Sequence, residues 1–302
     1  MKKIFVFLIT AVLLLQMTVN VVLADTPVQD SKLTVVYGAN DVCFDGLDVS
    51  IYRVADIGAD NSYTLCGDFA YYPVNVKVVR TQEEWRTIAT TLTAYIVADG
   101  ISATATATTD ENGEVSFDGL TKGLYLVSGV QCEKNDMVYV FESFFSSLPR
   151  PDENGVAQYD VKAVPKYTSY VPEPDEIEYK VTKQWKDDSS DKRPVSVEVE
   201  IYDDGELVYT EILSSDNNWC FTWKGVDDGS KWTVVERNIN EGYTVTVTNE
   251  GASFVITNAY TSVTPPPQTG DVAVVWPYVL ALFSAGAILM FLSVSIKRVK
   301  ND

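Results

Sequence analysis

Three stretches decide the fold of this chain: Tyr179-Lys-Val-Thr-Lys-Gln-Trp185, Trp232-Thr-Val-Val-Glu236 and Phe254-Val-Ile-Thr-Asn-Ala-Tyr260. Each alternates, and a period of two is the mark of a strand, in which residues two apart share a face. Tyr179, Val181, Lys183 and Trp185 share one face, while Lys180, Thr182 and Gln184 share the other. Trp232, Val234 and Glu236 fall together, as do Phe254, Ile256, Asn258 and Tyr260. A lysine, a glutamate and an asparagine therefore stand in the apolar register of three strands. Burying an ammonium or a carboxylate without a partner is costly. Either the three meet, or they lie at strand ends where side chains reach water.

Working outward, the residues around these strands form short runs rich in Val, Thr, Tyr and Phe, separated by Gly, Asp and Asn clusters. That pattern predicts an all-β architecture. A stiff acidic connector with Pro172 and Pro174, residues 169–176, divides it into modules at 25–168 and 177–260. The modules repeat one another. Lys32-Leu-Thr-Val-Val-Tyr37 answers Lys180–Trp185, and Asp48-Val-Ser-Ile-Tyr52 answers Ser196–Tyr202. Asn112–Leu120 answers Asn217–Val226, and Leu124–Val127 answers Trp232–Val235. The first module carries an insertion, Thr81–Ala98. Thr81 and Glu84 fit a capping box, and Trp85, Ile88, Leu92, Tyr95 and Ile96 fall on one helical face. The spacing predicts a helix packed on the β-module.

The two ends point to export and retention. Residues 1–24 hold Lys2 and Lys3, an apolar run Ile4–Leu15 and Val22-Leu-Ala24, the pattern of a cleaved secretory signal peptide. Residues 261–270 are Pro-rich and end in Pro266-Pro267-Gln268-Thr269-Gly270. An apolar segment follows at 271–296; its uncharged run Val272–Ile296 is 25 residues, about 37 Å as a helix against a hydrocarbon core of about 30 Å. The basic tail 297–302 favours a cytoplasmic C-terminus.

Composition excludes several functions. The formal net charge is −19, and the segment between the two ends is more acidic still. Nucleic acid and anionic lipid are poor partners for such a surface. The chain has no histidine, which removes His-based triads, zinc sites and imidazole switching. No phosphate-binding Gly-rich loop or EF-hand spacing occurs, so neither cofactor nor metal is expected. Acidic runs such as Asp110-Glu-Asn-Gly113 read as solvated turns, not as a hydrolase's paired carboxylates. Cys43, Cys66, Cys132 and Cys220 show no CxxC spacing; export permits a disulfide, with Cys43–Cys66 the favoured pair and free thiols the alternative.

The second module resembles a collagen-adhesin B-type (Cna-B) domain, through Val181-Thr-Lys-Gln-Trp185, Arg193–Glu206, Asn217–Val226, Trp232–Thr246 and Val255–Tyr260 in that order. The first resembles the N-terminal module of sortase-assembled pilins, through Asp48–Asp56, Asn112–Val127 and Tyr159–Tyr167. The resemblance implies two immunoglobulin-like β-sandwiches in tandem, the first with the inserted helix, followed by a transmembrane helix. It also implies an intramolecular isopeptide bond between Lys183 and Asn258, promoted by Glu236, with the competing reading a buried Lys–Glu ion pair capped by Asn. Trp185, Trp219, Phe221, Trp223, Trp232 and Phe254 would keep the site dry. The aligned positions of the first module, Val35, Ser128 and Ala163, carry no such chemistry, so no bond is expected there. The C-terminal segment resembles a cell-wall sorting signal, with Pro266 where Leu is usual. It implies sortase cleavage between Thr269 and Gly270 and transfer to peptidoglycan at a Gram-positive cell surface. Val161–Tyr167 matches the centre of a pilin motif, making Lys166 a candidate acceptor for other pilin subunits; Val164 and Tyr167 depart from that motif. The reading is a wall-anchored structural or adhesive protein, not an enzyme; the alternative is a solitary adhesin for a host protein or glycan.

Overall fold

The computed structural model describes residues 29–39, 42–77, 81–172, 176–186, 192–226 and 231–260. The expected signal peptide, Pro-rich motif, apolar segment and basic tail lie outside these residues. The chain divides into two compact units, Met1–Thr261 and Ser262–Asp302, and every described residue belongs to the first. Among the described residues no helix is long and apolar enough to cross a membrane.

The described residues are mostly strand, with one long helix. In the N-terminal half, Ser31–Val36 lies between Asp160–Ala163, which runs parallel to it, and Glu114–Leu120, which runs antiparallel. A second sheet is ordered Phe144–Leu148, Gly123–Val127, Asp48–Ile57, Tyr63–Leu65, with Ala105–Thr108 also paired to Asp48–Ile57. Leu33, Val35, Phe117 and Val161 of the first sheet share one core with Val49, Ile51, Tyr125 and Val127 of the second.

The C-terminal half repeats these pairings. Glu176–Lys186 runs parallel to Ser253–Tyr260 and antiparallel to Cys220–Val226, and Tyr243–Glu250 forms the outer strand of that four-stranded sheet. Ser196–Asp203 is flanked by Glu206–Ser214 and Trp232–Arg237 in a three-stranded sheet. In both halves the first strand therefore has a parallel neighbour, Asp160–Ala163 in one and Ser253–Tyr260 in the other.

The helix α1, Gln82–Asp99, forms where expected. Thr81 and Glu84 close a capping box, and Gly100 ends it in the left-handed region at φ 62°, where a side chain would be strained. Its packing is wider than one face. Ile88, Ala89 and the run Thr91–Ile96 are all buried, so the middle of the helix is covered on every side. One cluster joins Ile88, Leu92 and Tyr95 to Leu124 and Leu126 of the N-terminal half and to Val245 and Val247 of the C-terminal half. The strand Gly123–Val127 is consequently buried at all five positions: Tyr125 and Val127 face the first core, Leu124 and Leu126 the cluster with α1. The expected connector begins as a strand, because Tyr167–Tyr170 pairs antiparallel with Met137–Phe141. The two halves thus meet directly, through α1.

Candidate functional site

On the first and last strands the alternation read from the sequence is the alternation of burial, whereas Thr233–Glu236 of the remaining stretch are buried in succession. Tyr179, Val181 and Lys183 are buried along the first strand, and Phe254, Ile256 and Asn258 along the last. The parallel register sets Lys183 opposite Ile256 and Trp185 opposite Asn258, so the lysine and the asparagine project to one side of neighbouring strands. Glu236 comes from the other sheet, on Trp232–Arg237, where it pairs with Val199. The structure brings all three together across the sandwich. The exposures of Lys183, Glu236 and Asn258 are 4%, 2% and 2%, so none is a strand-end side chain reaching water.

Glu236 joins the other two. Asn258 Nδ2 donates to Glu236 Oε1 at 2.7 Å, and Lys183 Nζ stands 3.5 Å from Glu236 Oε2. The lysine amine also donates to Gln184 O at 2.9 Å and lies 4.1 Å from the Trp185 ring centroid. Trp219 and Tyr243 pack edge-on against Trp185. Behind them Trp223 stacks on Phe254 and on Phe221, and Trp232 tilts against Trp223 and Tyr179. Of the six aromatic residues expected around the site, Trp185 therefore touches the amine, while the others build the wall and the core.

Electrostatics follow from this dryness. Burial pushes the Glu236 carboxyl above its ordinary range; the Lys183 ammonium and the Asn258 hydrogen bond pull it back only in part. Asn258 Oδ1 is buried and has no hydrogen-bond partner among the described residues. A half-turn of the amide exchanges Nδ2 and Oδ1, and a protonated Glu236 then donates to the carbonyl oxygen. The arrangement can do one piece of chemistry: an amine and an amide carbonyl share an acid that can carry a proton between them.

Elsewhere the sequence-derived residues are scattered. Lys166 is exposed on the rim of a groove of about 620 Å³ whose walls include Tyr63, Trp85, Arg86, Phe145 and Arg150. Its carbonyl accepts from the Glu142 N–H at 2.8 Å. The Cys43–Cys66 bridge is corrected: all four cysteines are free thiols. Val42–Cys43 pairs with Gly38–Ala39, whereas the Cys66 N–H bonds Val54 O and its sulfur accepts from Arg53 Nη1 at 3.3 Å, so no strand pairing brings the two together. Of the aligned positions in the N-terminal half, Val35 is fully buried opposite Ala163, and the Ser128 N–H donates to Ser50 O at 3.0 Å. Pro266, Pro267, Gln268, Thr269 and Gly270 lie outside the described residues.

Sequence reasoning missed the contacts that reach the site from outside its own half. Thr91 Oγ1 accepts from the Val247 N–H at 2.8 Å, Tyr95 OH lies 3.4 Å from Glu236 O, and Asp99 binds Arg237 at 2.6 Å. The one signal was a threonine at Thr91, a residue type with little to recommend it inside a helix.

Residues 179–259 match the family model of the Cna protein B-type domain. A collagen adhesin of Staphylococcus aureus is 34% identical over 148 residues, covering 43% of this chain and 12% of that protein. The chain thus spans about an eighth of the length of this curated relative. Among solved structures, a single B repeat unit of the S. aureus collagen-binding surface protein is 22% identical, covering 77% of this chain and 98% of its own, at a TM-score of 0.27. The major pilin SpaD of Corynebacterium diphtheriae is 16% identical, covering 76% and 66%, at 0.29. The shaft pilin spaA of Lactobacillus rhamnosus GG is 17% identical, covering 78% and 99%, at 0.27. These TM-scores are too low to bear on the fold. Lys183, Glu236 and Asn258 all fall within residues 179–259, the part of the chain that matches the Cna protein B-type domain.

Proposed function

We propose that this chain is a wall-anchored, pilin-like surface subunit built from two immunoglobulin-like sandwiches in tandem, the second closed by an amide between Lys183 Nζ and Asn258 Cγ. The observation that carries the reading is the Glu236 carboxyl, held at 2.7 Å from the amide and 3.5 Å from the amine in a site closed to solvent. In the reacting form Lys183 is a neutral amine and Glu236 a carboxylic acid. The acid polarises the Asn258 carbonyl, and Nζ adds to Cγ. Glu236 accepts a proton from the new ammonium and delivers one to Nδ2. The Cγ–Nδ2 bond breaks, ammonia leaves and the Nζ–Cγ amide remains. The step occurs once per chain as part of folding, so the protein is a substrate of its own chemistry and not an enzyme.

The anchoring part of the proposal rests on the sequence. Sortase would cut between Thr269 and Gly270 and pass the threonine carboxyl to peptidoglycan or to an acceptor lysine on another subunit. Lys166 fits that acceptor by its exposure and by its place in the short link between the strands Asp160–Ala163 and Tyr167–Tyr170. Val164 and Tyr167, which depart from the pilin motif, favour instead a solitary wall-anchored adhesin for a host protein or glycan.

The test of the cross-link is the intact mass of the compact unit, residues 25–261. It should be lighter than its sequence by one ammonia, and tryptic digestion should release a branched peptide joining Lys183 to Asn258. A native protein at full mass ends the proposal.

A further inference from the structure

The site draws its acid from one sheet and its amine and amide from the other, so its geometry depends on how far apart the two sheets sit. Both sheets present an outer strand on the same side: Trp232–Arg237, which bears Glu236, and Tyr243–Glu250, whose Val245 pairs with Asn258. An outer strand exposes unpaired backbone groups. Here the other half of the molecule satisfies them. The Val247 N–H donates to Thr91 Oγ1 at 2.8 Å, and the Val245 N–H donates to Pro73 O at 2.8 Å. Thr91 in turn donates to Thr87 O at 2.7 Å, so its hydroxyl both donates within α1 and accepts from the outer strand. On the strand of the acid, Tyr95 OH lies 3.4 Å from the carbonyl of Glu236 itself. One residue on, Arg237 binds Asp99 of α1 at 2.6 Å and Glu200 of its own sheet at 2.5 Å. Tyr95 is fixed from behind by a stacked Tyr72, with ring centroids 4.3 Å apart.

We propose that the N-terminal half templates the cross-link of the C-terminal half: α1 spans the two outer strands and sets the spacing between the Glu236 sheet and the Lys183–Asn258 sheet, with Thr91 and Tyr95 as positioning residues. This rests on the cross-link reading above. The chemistry is unchanged: Nζ–Cγ forms, Cγ–Nδ2 breaks and ammonia leaves. What α1 supplies is orientation, to which such a reaction is sensitive at the level of an ångström. The order of events follows. The two halves dock first, and the covalent tie then makes the docked arrangement of the second sandwich permanent.

The experiment follows ammonia loss by intact mass at successive times during cell-free synthesis of residues 25–261. Near-UV circular dichroism and resistance to protease report folding at the same time points. The native chain should convert completely. Thr91→Val combined with Tyr95→Phe removes the acceptor and the donor, and conversion should slow about tenfold in protein that is folded. Thr91→Ser keeps the hydroxyl and should restore the native rate in an otherwise native chain. A folded double variant converting at the native rate overturns the template. Should the double variant not fold, Tyr95→Phe alone decides: slowed ammonia loss supports the role, and the native rate refutes it. A native chain at full mass removes the cross-link and the template together, whereas a light native chain with equally fast variants removes only the template.

Discussion

Lys183→Met separates a covalent tie from an ion pair. Methionine keeps most of the stem that lies against Trp185 and removes only the amine. With the ammonium gone, Glu236 loses its counter-charge while burial still pushes its carboxyl upward, and Asn258 remains within hydrogen-bond reach of it. If Lys183 and Glu236 were merely paired, the cost would be that of breaking a buried pair, about 3–5 kcal/mol, of which the Gln184 O hydrogen bond and the contact over Trp185 make up about 1–2 kcal/mol. A Lys183–Asn258 bond instead closes a loop of roughly 75 residues in the unfolded chain. The chain-entropy relation used for disulfides gives about 4.5 kcal/mol for a loop of that length. Added to the local losses of about 1–2 kcal/mol, Lys183→Met should cost about 5.5–6.5 kcal/mol, a large share of a typical stability of about 5–15 kcal/mol. Urea unfolding at equilibrium measures it, and carries a second signature. Cross-linked unfolded chains are compact, so the variant should also show a steeper dependence on denaturant. An unchanged slope with a loss of no more than about 3–5 kcal/mol would refute the tie.

The same variant predicts a pH dependence. Glu236 titrates higher in the folded protein than in the unfolded chain, where it is near 4.3. The folded state therefore holds the extra proton, and this group's contribution is full below the unfolded value and is lost as pH rises through the folded one. Urea midpoints of Lys183→Met should fall as pH rises from the carboxylate range towards neutrality, and Lys183→Met with Glu236→Gln should not show that fall. Thr269→Ala should leave the protein in the membrane fraction on cell fractionation; wall-bound mutant protein would defeat the sorting reading. Lys166→Arg should collapse any high-mass ladder on a denaturing immunoblot while wall anchoring persists. An unchanged ladder assigns the acceptor elsewhere, and a native strain without a ladder favours the solitary adhesin.

Much of the site was legible because burial and period coincide. Two of the strands bury every second residue, so Lys183 and Asn258 betray themselves by standing where Val181 and Ile256 set the expectation, and Glu236 stands out against Val234 although its strand is buried on both faces. The capping box at Thr81 and Glu84 was legible for a similar reason, since it is a local bond between residues three apart. The contacts across α1 were not. Thr91 and Val247 are separated by 156 residues, and nothing in a helical period says that the second face of an amphipathic helix will also be covered. The connector misled for the complementary reason. Tyr167–Tyr170 reads as a polar lead into Pro172, yet its backbone completes the edge of Met137–Phe141, a demand set by a strand some thirty residues earlier.

The two halves share their strand pairings but solve different problems of cohesion. In the N-terminal half the first strand faces its parallel neighbour through Val35 and Ala163, and the neighbouring core is closed by Tyr37, Phe44 and Phe141 in edge-on contact. Its second sheet is covered on both faces, one by that core and the other by α1. Apolar burial on two faces stabilises it without a buried charge. The C-terminal half spends three buried positions on a lysine, a glutamate and an asparagine, which as unreacted groups return less than well-packed aliphatic side chains would. It also relies on the other half to cover both outer strands on one side. A fold that gives up packing at its centre and at its edge needs another source of cohesion. The amide proposed between Lys183 and Asn258 would supply it at the site where the packing was surrendered.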